Sequence, residues 1–326
     1  MQGQNVLVFG GGGYLGIPLC RKLTVLGYKV TAVDTGWFGK GPAAKDVHRL
    51  LIADIRTVDK DVFVGQDAVI DVAGISNDAS SEIDPKMTED INVKGGVRIA
   101  TMAFSAGVKR YVYSSSASVY GHGAKDNLTE EDDVDPLTAY ARSKISVEIV
   151  LRQLASDTFK TVVLRNATVF GLAPRMRFDL VVNRMTAEAW QYKVIKVEGG
   201  GAQQRPLIHV ADAAQVFWKA LDDDFPPGTY NVGHQKMNYR IRDIAAVIAD
   251  FTGARIVYDE QGGIEERNYH LCFDKIAKYF DSPVSVLQGA SQIWNALETG
   301  RVRVDDETTH TLRWYKHLIK LNGGPL

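Results

Sequence analysis

Tyr140 and Lys144 stand one helical turn apart in the run Tyr140-Ala141-Arg142-Ser143-Lys144. On a helix both side chains would leave the same face. A phenol held beside an ammonium loses its proton more readily, and can then take one from a hydroxyl near neutral pH. At the other end of the same stretch lies Gly10-Gly11-Gly12-Gly13-Tyr14-Leu15-Gly16. Glycine permits a tight turn there and removes the Cβ that would block a pyrophosphate. A helix starting at that point offers free N–H groups to the anion. The run satisfies G-x-G-x-x-G and also, with Gly10, Gly13 and Gly16, G-x-x-G-x-x-G. Alone, the pair reads as an exposed helix pair and the glycines as a turn. Together, in this order, they imply redox chemistry, with one site to hold a hydride acceptor and another to move the proton.

The surrounding pattern is what would position them. Asn5–Phe9 reads as a short buried strand ending in glycine, followed by a helix from about Tyr14 to Leu26 and a second strand over Lys29–Val33. Asp34 then ends that strand, where a carboxylate can accept bonds from ribose hydroxyls and repel a 2′-phosphate, so NAD is favoured over NADP. An acid at such a point can also be a turn residue. Further strands are predicted at Arg49–Ala53, Asp67–Val72, Arg110–Ser114 and Thr161–Arg165. A long helix is predicted over Glu82–Ala106, and another, opened by Pro136, runs to about Ala155. This alternation predicts an α/β fold, a Rossmann doubly wound parallel sheet. After Phe170 it loosens. Helices near 179–192, 211–222, 241–251 and 286–298 are separated by strands near 194–197, 206–210, 229–233 and 255–258. The expected division is an NAD-binding domain over 1–165 and a smaller substrate-binding region over 166–326, with segments near 207–233 returning to the sheet.

Bulk properties narrow the field. A chain of 326 residues can bury a large core. Its net charge of −1 argues against a nucleic-acid or membrane-surface partner. The two cysteines, Cys20 and Cys272, supply no disulfide framework and suit a reducing cytosol, so a cytoplasmic protein is expected. No apolar run approaches the roughly 18 residues of a membrane helix.

These residues together resemble the extended short-chain dehydrogenase/reductases, in the NAD-dependent nucleotide-sugar epimerase/dehydratase branch. Besides the glycine loop, Asp54-Ile55-Arg56 resembles the stretch that borders the adenine, and Ala73-Gly74 stands where the branch often has two alanines beside the nicotinamide. Ser114-Ser115-Ser116-Ala117-Ser118-Val119-Tyr120-Gly121 is similar to its serine loop, whose third serine, here Ser116, is catalytic. The resemblance implies catalysis by Ser116, Tyr140 and Lys144. Tyr140 would be the base and Ser116 would hold the same oxygen. Lys144 would lower the phenol's pKa and bond the nicotinamide ribose. It further implies NAD contacts from Gly10, Gly13, Tyr14, Leu15, Gly16, Asp34, Asp54, Ile55, Ala73, Gly74, Ser114, Tyr140 and Lys144. Asn92 matches a helix asparagine near the active site, although such an asparagine can equally serve nearby backbone. His209 reads as a core histidine.

The implied substrate is a nucleotide-diphosphate sugar, held by Asn92, Ser116, Thr168, Arg175, Arg205 and Arg267. Guanidinium forks suit phosphate oxygens, and Arg177 and Arg184 belong to the same set of candidates. Thr168 stands where the branch commonly has asparagine, and Phe170 where it has tyrosine. Dehydratases of the branch carry an Asp-Glu pair after the catalytic hydroxyl, but here those positions are Ala117 and Ser118, so 4,6-dehydration is disfavoured. The expected activity is epimerisation at C4 through a 4-keto intermediate. A nucleotide-sugar dehydrogenase or 4-ketoreductase with a single hydride transfer is the alternative, and a non-catalytic NAD-binding protein a third. The resemblance also implies a homodimer through the helices that carry Ala100–Phe104 and Ile145–Leu154. No metal is expected.

Overall fold

The computed structural model describes residues 3–326 apart from Lys40, Ala43, Ala124 and residues 260–267. Apolar runs such as Val6-Leu7-Val8-Phe9 have no polar face to offer water, so they form inner strands of a sheet covered on both sides. The first six strands are β1 (Asn5–Phe9), β2 (Lys29–Asp34), β3 (Arg49–Ile52), β4 (Ala68–Asp71), β5 (Arg110–Ser116) and β6 (Lys160–Asn166). Beyond them come β7 (Thr168–Phe170), β8 (Val194–Glu198), β9 (Gln204–His209), β10 (Gly228–Val232), β11 (Asn238–Arg240) and β12 (Arg255–Asp259). The central sheet has seven strands in the order β10-β6-β5-β4-β1-β2-β3, all parallel. Val6 of β1 pairs with Val30 on one side and Ala68 on the other. The strand order reverses there, and the carboxyl ends of β1 and β4 open a crevice. Strand β10 does lie in this sheet, with Tyr230 opposite Leu164. Strands β11, β9 and β7 form a second small sheet, and β12 with β8 a third.

Side chains of β1 alternate between two cores. Val6 and Val8 face a core shared with Leu19, Ile70 and Phe217, and Leu7 and Phe9 face one shared with Val69, Ile99 and Val147. The first core is covered by helices on the α1 (Gly16–Val25) side. The second is covered by a long rod that starts with the one-turn α2 (Asp78–Ser81) and α3 (Pro85–Thr88), and continues through a π-helical stretch (Glu89–Gly95) into α4 (Gly96–Ser105). The helix expected over Glu82–Ala106 thus begins at Pro85, runs unbroken to Ser105 and contains a π-helical stretch. Asn77 and Asp84 each cap a fresh turn by accepting from Ser80 N and Met87 N, and Pro85 sits at the first helical position. Helix α5 (Ala139–Leu154) begins later than Pro136, because the Thr138 hydroxyl caps it by accepting from Ala141 N at 3.1 Å.

In the second half, α6 (Val181–Tyr192), α7 (Val210–Lys219), α8 (Ile241–Thr252) and α9 (Val286–Glu298) fall near their expected places. Strands β7 and β11 and a last helix, α10 (Thr311–Asn322), were not anticipated. The amphipathic α10 returns to the first half of the chain, where Tyr315 is buried in the core that contains Leu7 and Phe9. Among the described residues no helix is long and apolar enough to cross a membrane.

Candidate active site

A cleft of about 700 Å³ runs over the carboxyl ends of the central strands, from Asp34 past Tyr140 to Arg205. Its floor is the glycine loop. Gly10 has a φ of +77°, and its N–H donates to Val33 O at 2.8 Å. A Cβ on Gly16 would lie 2.0 Å from the Gly10 carbonyl oxygen, so helix α1 can approach the strand end only as glycine. The Asp34 carboxylate reaches back to accept from Gly12 N and Gly36 N, each at 2.9 Å. Burial pushes its pKa up, against those two bonds. Asp54 grips Arg56 at 2.6 Å; burial alone would raise the Asp54 pKa, but the guanidinium fork and the Arg56 N–H hold it below the usual range. Tyr14, Leu15, Ile55, Ala73 and Gly74 line the same wall. This cradle, open along the backbone and acidic at the ribose end, fits a dinucleotide without a 2′-phosphate.

At mid-cleft the structure brings Ser116, Tyr140 and Lys144 together. Ser116 ends β5 and caps a short turn, accepting from Ser118 N at 3.2 Å and Ser118 Oγ at 3.0 Å, and its side chain lies near enough to the Tyr140 phenol to favour its ionised form. Lys144 Nζ donates to Ser114 O at 2.8 Å and lies 5.5 Å from the centre of the Tyr140 ring. Ser114 and Asn166 complete this wall, Asn166 Nδ2 donating to Ser114 Oγ at 3.1 Å. The expectation that Lys144 acidifies Tyr140 needs revision for the protein alone. Burial pushes the phenol up to about 12, Asp78 adds to this, and the opposing influences are Ser116 and Arg177. Burial likewise lowers Lys144 to about 8, while Asp71 and Glu148 favour its charged form. Asp71, which sequence reading passed over, is buried at the end of β4, bonded by Ala73 N and the Tyr111 hydroxyl, each at 3.0 Å, and raised to about 6 by burial.

Of the two readings of Asn92, its hydrogen bonds match the one that serves nearby backbone. It does not line the cleft; its Oδ1 accepts from Ile75 N at 2.8 Å, and its Nδ2 donates to Ile75 O and Ser143 Oγ. The amide therefore fastens the loop after β4 to the rod and to α5. His209 is a core residue, as read. Burial lowers it to about 4; Nδ1 accepts from Ala211 N, and Nε2 meets Gln292 at 3.1 Å.

Of the expected substrate residues, Thr168, Arg175 and Arg205 all line the cleft. Arg205 stacks on Tyr269, its guanidinium carbon 5.4 Å from the ring centre. Arg267 lies outside the described residues. Asp179 is not among the residues singled out by type and spacing, and Arg177 is only one of several arginine candidates, yet both line the cleft, Arg177 buried and Asp179 half-buried. They form an ion pair, and Arg177 also donates to Ser76 Oγ at 3.2 Å. Burial would raise the Asp179 pKa, but Arg177 overrides it and holds the carboxyl well below its usual range. The tandem Arg-x-Arg-x-Asp spacing was the one available signal. Among the described residues no cluster could hold a metal.

A parallel sheet with a glycine loop at its reversal point, and a Ser–Tyr–Lys set beside the strand two places away, defines a dinucleotide-dependent redox protein of the Rossmann type. Comparison with known proteins makes this specific: the chain belongs to the NAD dependent epimerase/dehydratase family, whose model matches residues 6–233. NAD is accordingly its cofactor. It is 25% identical over 284 residues to UDP-glucose 4-epimerase of Bacillus subtilis (strain 168), covering 78% of this chain and 84% of that protein. Against UDP-glucose 4-epimerases of Oryza sativa subsp. japonica, the chain spans about half of their length. The solved structure of TunA, an NAD dependent-NDP-hexosamine 5,6-dehydratase, superposes with a TM-score of 0.82 at 21% identity, covering 93% of this chain and 100% of that one. MoeE5 in complex with UDP-glucuronic acid and NAD superposes with a TM-score of 0.79 at 25% identity, over 90% of this chain and 99% of that one.

Proposed function

We propose that this protein is an NAD-dependent nucleotide-sugar 4-epimerase. The observation that carries the reading is that Ser116 and Tyr140 line the same cleft as the glycine loop, with Lys144 directly behind the Tyr140 ring, and with alanine and serine at 117 and 118. Bound NAD supplies the hydride acceptor and a positive ring that favours the phenolate. Tyr140 Oη takes the proton of the sugar hydroxyl, and Ser116 Oγ, close by on the same side of the cleft, steadies the same oxygen. Lys144, anchored at Ser114 O, keeps N–H groups free for the cofactor's ribose. Asp34 selects NAD over NADP. Thr168 and Arg205 hold the sugar nucleotide, and relatives that act on or bind UDP-glucose and UDP-glucuronic acid support uridine as its base. A homodimer pairing α4 with α5 would cover Phe104 and Ile149, which are 43% and 46% exposed.

Incubation of the purified protein with UDP-, GDP-, CDP- and dTDP-sugars, followed by proton NMR, tests the reading. The expected result is a C4-inverted sugar from a UDP substrate with no net NADH absorbance. Accumulating NADH, or a reduced sugar with no inverted product, would assign the single-hydride reaction instead.

A further inference from the structure

We propose that Arg175, held in place by the C-terminal helix α10, binds the diphosphate of the dinucleotide, so that α10 belongs to the cofactor site. Arg175 is only 8% exposed, and it lines the cleft beside the glycine loop. Its guanidinium carbon stacks 3.9 Å above the Phe38 ring, and Nη2 donates to Thr311 Oγ1 at 3.1 Å. Its Nε is buried and has no partner in the protein. A buried guanidinium N–H without an acceptor costs free energy. Burial and the neighbouring Arg177 both disfavour the charge on Arg175, lowering its pKa to about 10. An anion between the two arginines would remove that penalty.

The surroundings of Arg175 say which anion. It acts electrostatically on Asp34, on Tyr14 of the glycine loop and on Tyr315 of α10. These are the walls of the dinucleotide half of the cleft. Arg205, in contrast, lies against Tyr269 at the substrate end. Arg175 therefore leaves the substrate set in which the sequence placed it.

Helix α10 makes the position possible. Thr311 accepts from Arg175 and donates to Asp179 Oδ1 at 3.0 Å. Tyr315 packs edge-on against Trp37 at 6.3 Å and Phe38 at 5.1 Å, and Trp314 Nε1 donates to Trp37 O. Leu312 and Tyr315 line the cleft themselves. The segment after β2 and the arginine are thus fixed by one helix, which lies beyond the part of the chain that the family model matches.

The inference rests on NAD occupying this cleft and not on the fate of the sugar, so nucleotide binding tests it without turnover. The full-length chain, stripped of nucleotide, is titrated calorimetrically with ADP, adenosine and UDP. Arg175→Met keeps a long side chain on Phe38 and removes the fork. The expected result is ADP binding weakened about tenfold or more, with adenosine and UDP unchanged. Equal losses for ADP and adenosine would reduce Arg175 to a prop for Phe38 and overturn the proposal. Unchanged ADP binding, or loss for UDP instead, would also overturn it. Should Arg175→Met fail to fold, Thr311→Val keeps the charge and removes its tether. Weakened ADP binding with unchanged adenosine binding is then expected, and unchanged ADP binding overturns the role of α10. Failure of the unsubstituted protein to invert any sugar, with ADP binding weakened in Arg175→Met as expected, would count against the proposed function and leave this inference standing.

Discussion

At the glycine loop the binding groups belong to consecutive backbone atoms, whereas across the cleft Arg175, Arg177 and Asp179 work through side chains tied to distant residues. The first wall needs only a strand, four glycines and Asp34. The second borrows Ser76, Asn77 and Thr311, and Asn77 Nδ2 reaches Asp179 at 2.8 Å. A backbone cradle is specified by a few adjacent residues and tolerates no Cβ. A side-chain network tolerates backbone change but fails when one charge is removed. Between these walls lies the Ser–Tyr–Lys set, the one part designed for proton movement.

The comparison can be broken in several places. The largest effect is expected at the middle. Tyr140→Phe removes the base without touching either wall, so turnover should fall about 10²–10⁴-fold. The NAD content of the purified protein, read from an acid extract, should be unchanged; a normal rate would take Tyr140 out of the mechanism. Next comes the side-chain wall. Asp179→Ala leaves Arg177 buried without its partner, and urea unfolding should show a loss of about 3–5 kcal/mol. The joint change Arg177→Met with Asp179→Leu should cost less, since no uncompensated charge remains. If the single and double variants cost the same, the wall is not held by that ion pair.

His209 probes the seam between the small sheet and α9. Its pKa is about 4 in the folded protein and near 6.5 when unfolded. Between those values the folded state binds fewer protons, so stability is lost as pH falls from about 6.5 to 4, by up to about 3 kcal/mol. His209→Asn keeps an N-cap for α7 and should flatten that slope in pH-dependent melting; an unchanged slope would place the titration elsewhere. The smallest stability effect is expected at the backbone wall. Gly16→Ala forces a Cβ onto the Gly10 carbonyl and should cost about 1–3 kcal/mol. Its distinguishing mark is loss of retained NAD out of proportion to that cost, and full NAD retention would show that the loop can yield.

Much of the fold was legible because its signals are local. The buried run Val6–Phe9 followed by glycine, and the breaks at Gly27 and Gly107, marked the alternation of strand and helix, and the seven-stranded parallel sheet follows from it. Legibility failed where the cause was remote. The π-helical stretch before α4 ends at Gly95, where a Cβ would meet the Ile55 side chain at 2.7 Å, and nothing near Gly95 in the sequence announces Ile55. Asn92 looked like a site residue by type, and its hydrogen bonds turned out to be spent on Ile75 and Ser143. Asp71 could have been noticed as an acid inside an apolar strand.

Residue type and spacing alone determined that this chain would present a glycine cradle, an acid after β2 and a Tyr-Lys pair on one helical face, because each depends on neighbours within a turn or a strand. Only the tertiary structure decided that burial would hold the Tyr140 phenol high and the Lys144 ammonium low, and that Thr311 would steady Arg175. Desolvation and long-range hydrogen bonds depend on what the rest of the chain packs against a group, and that is a property of the folded whole.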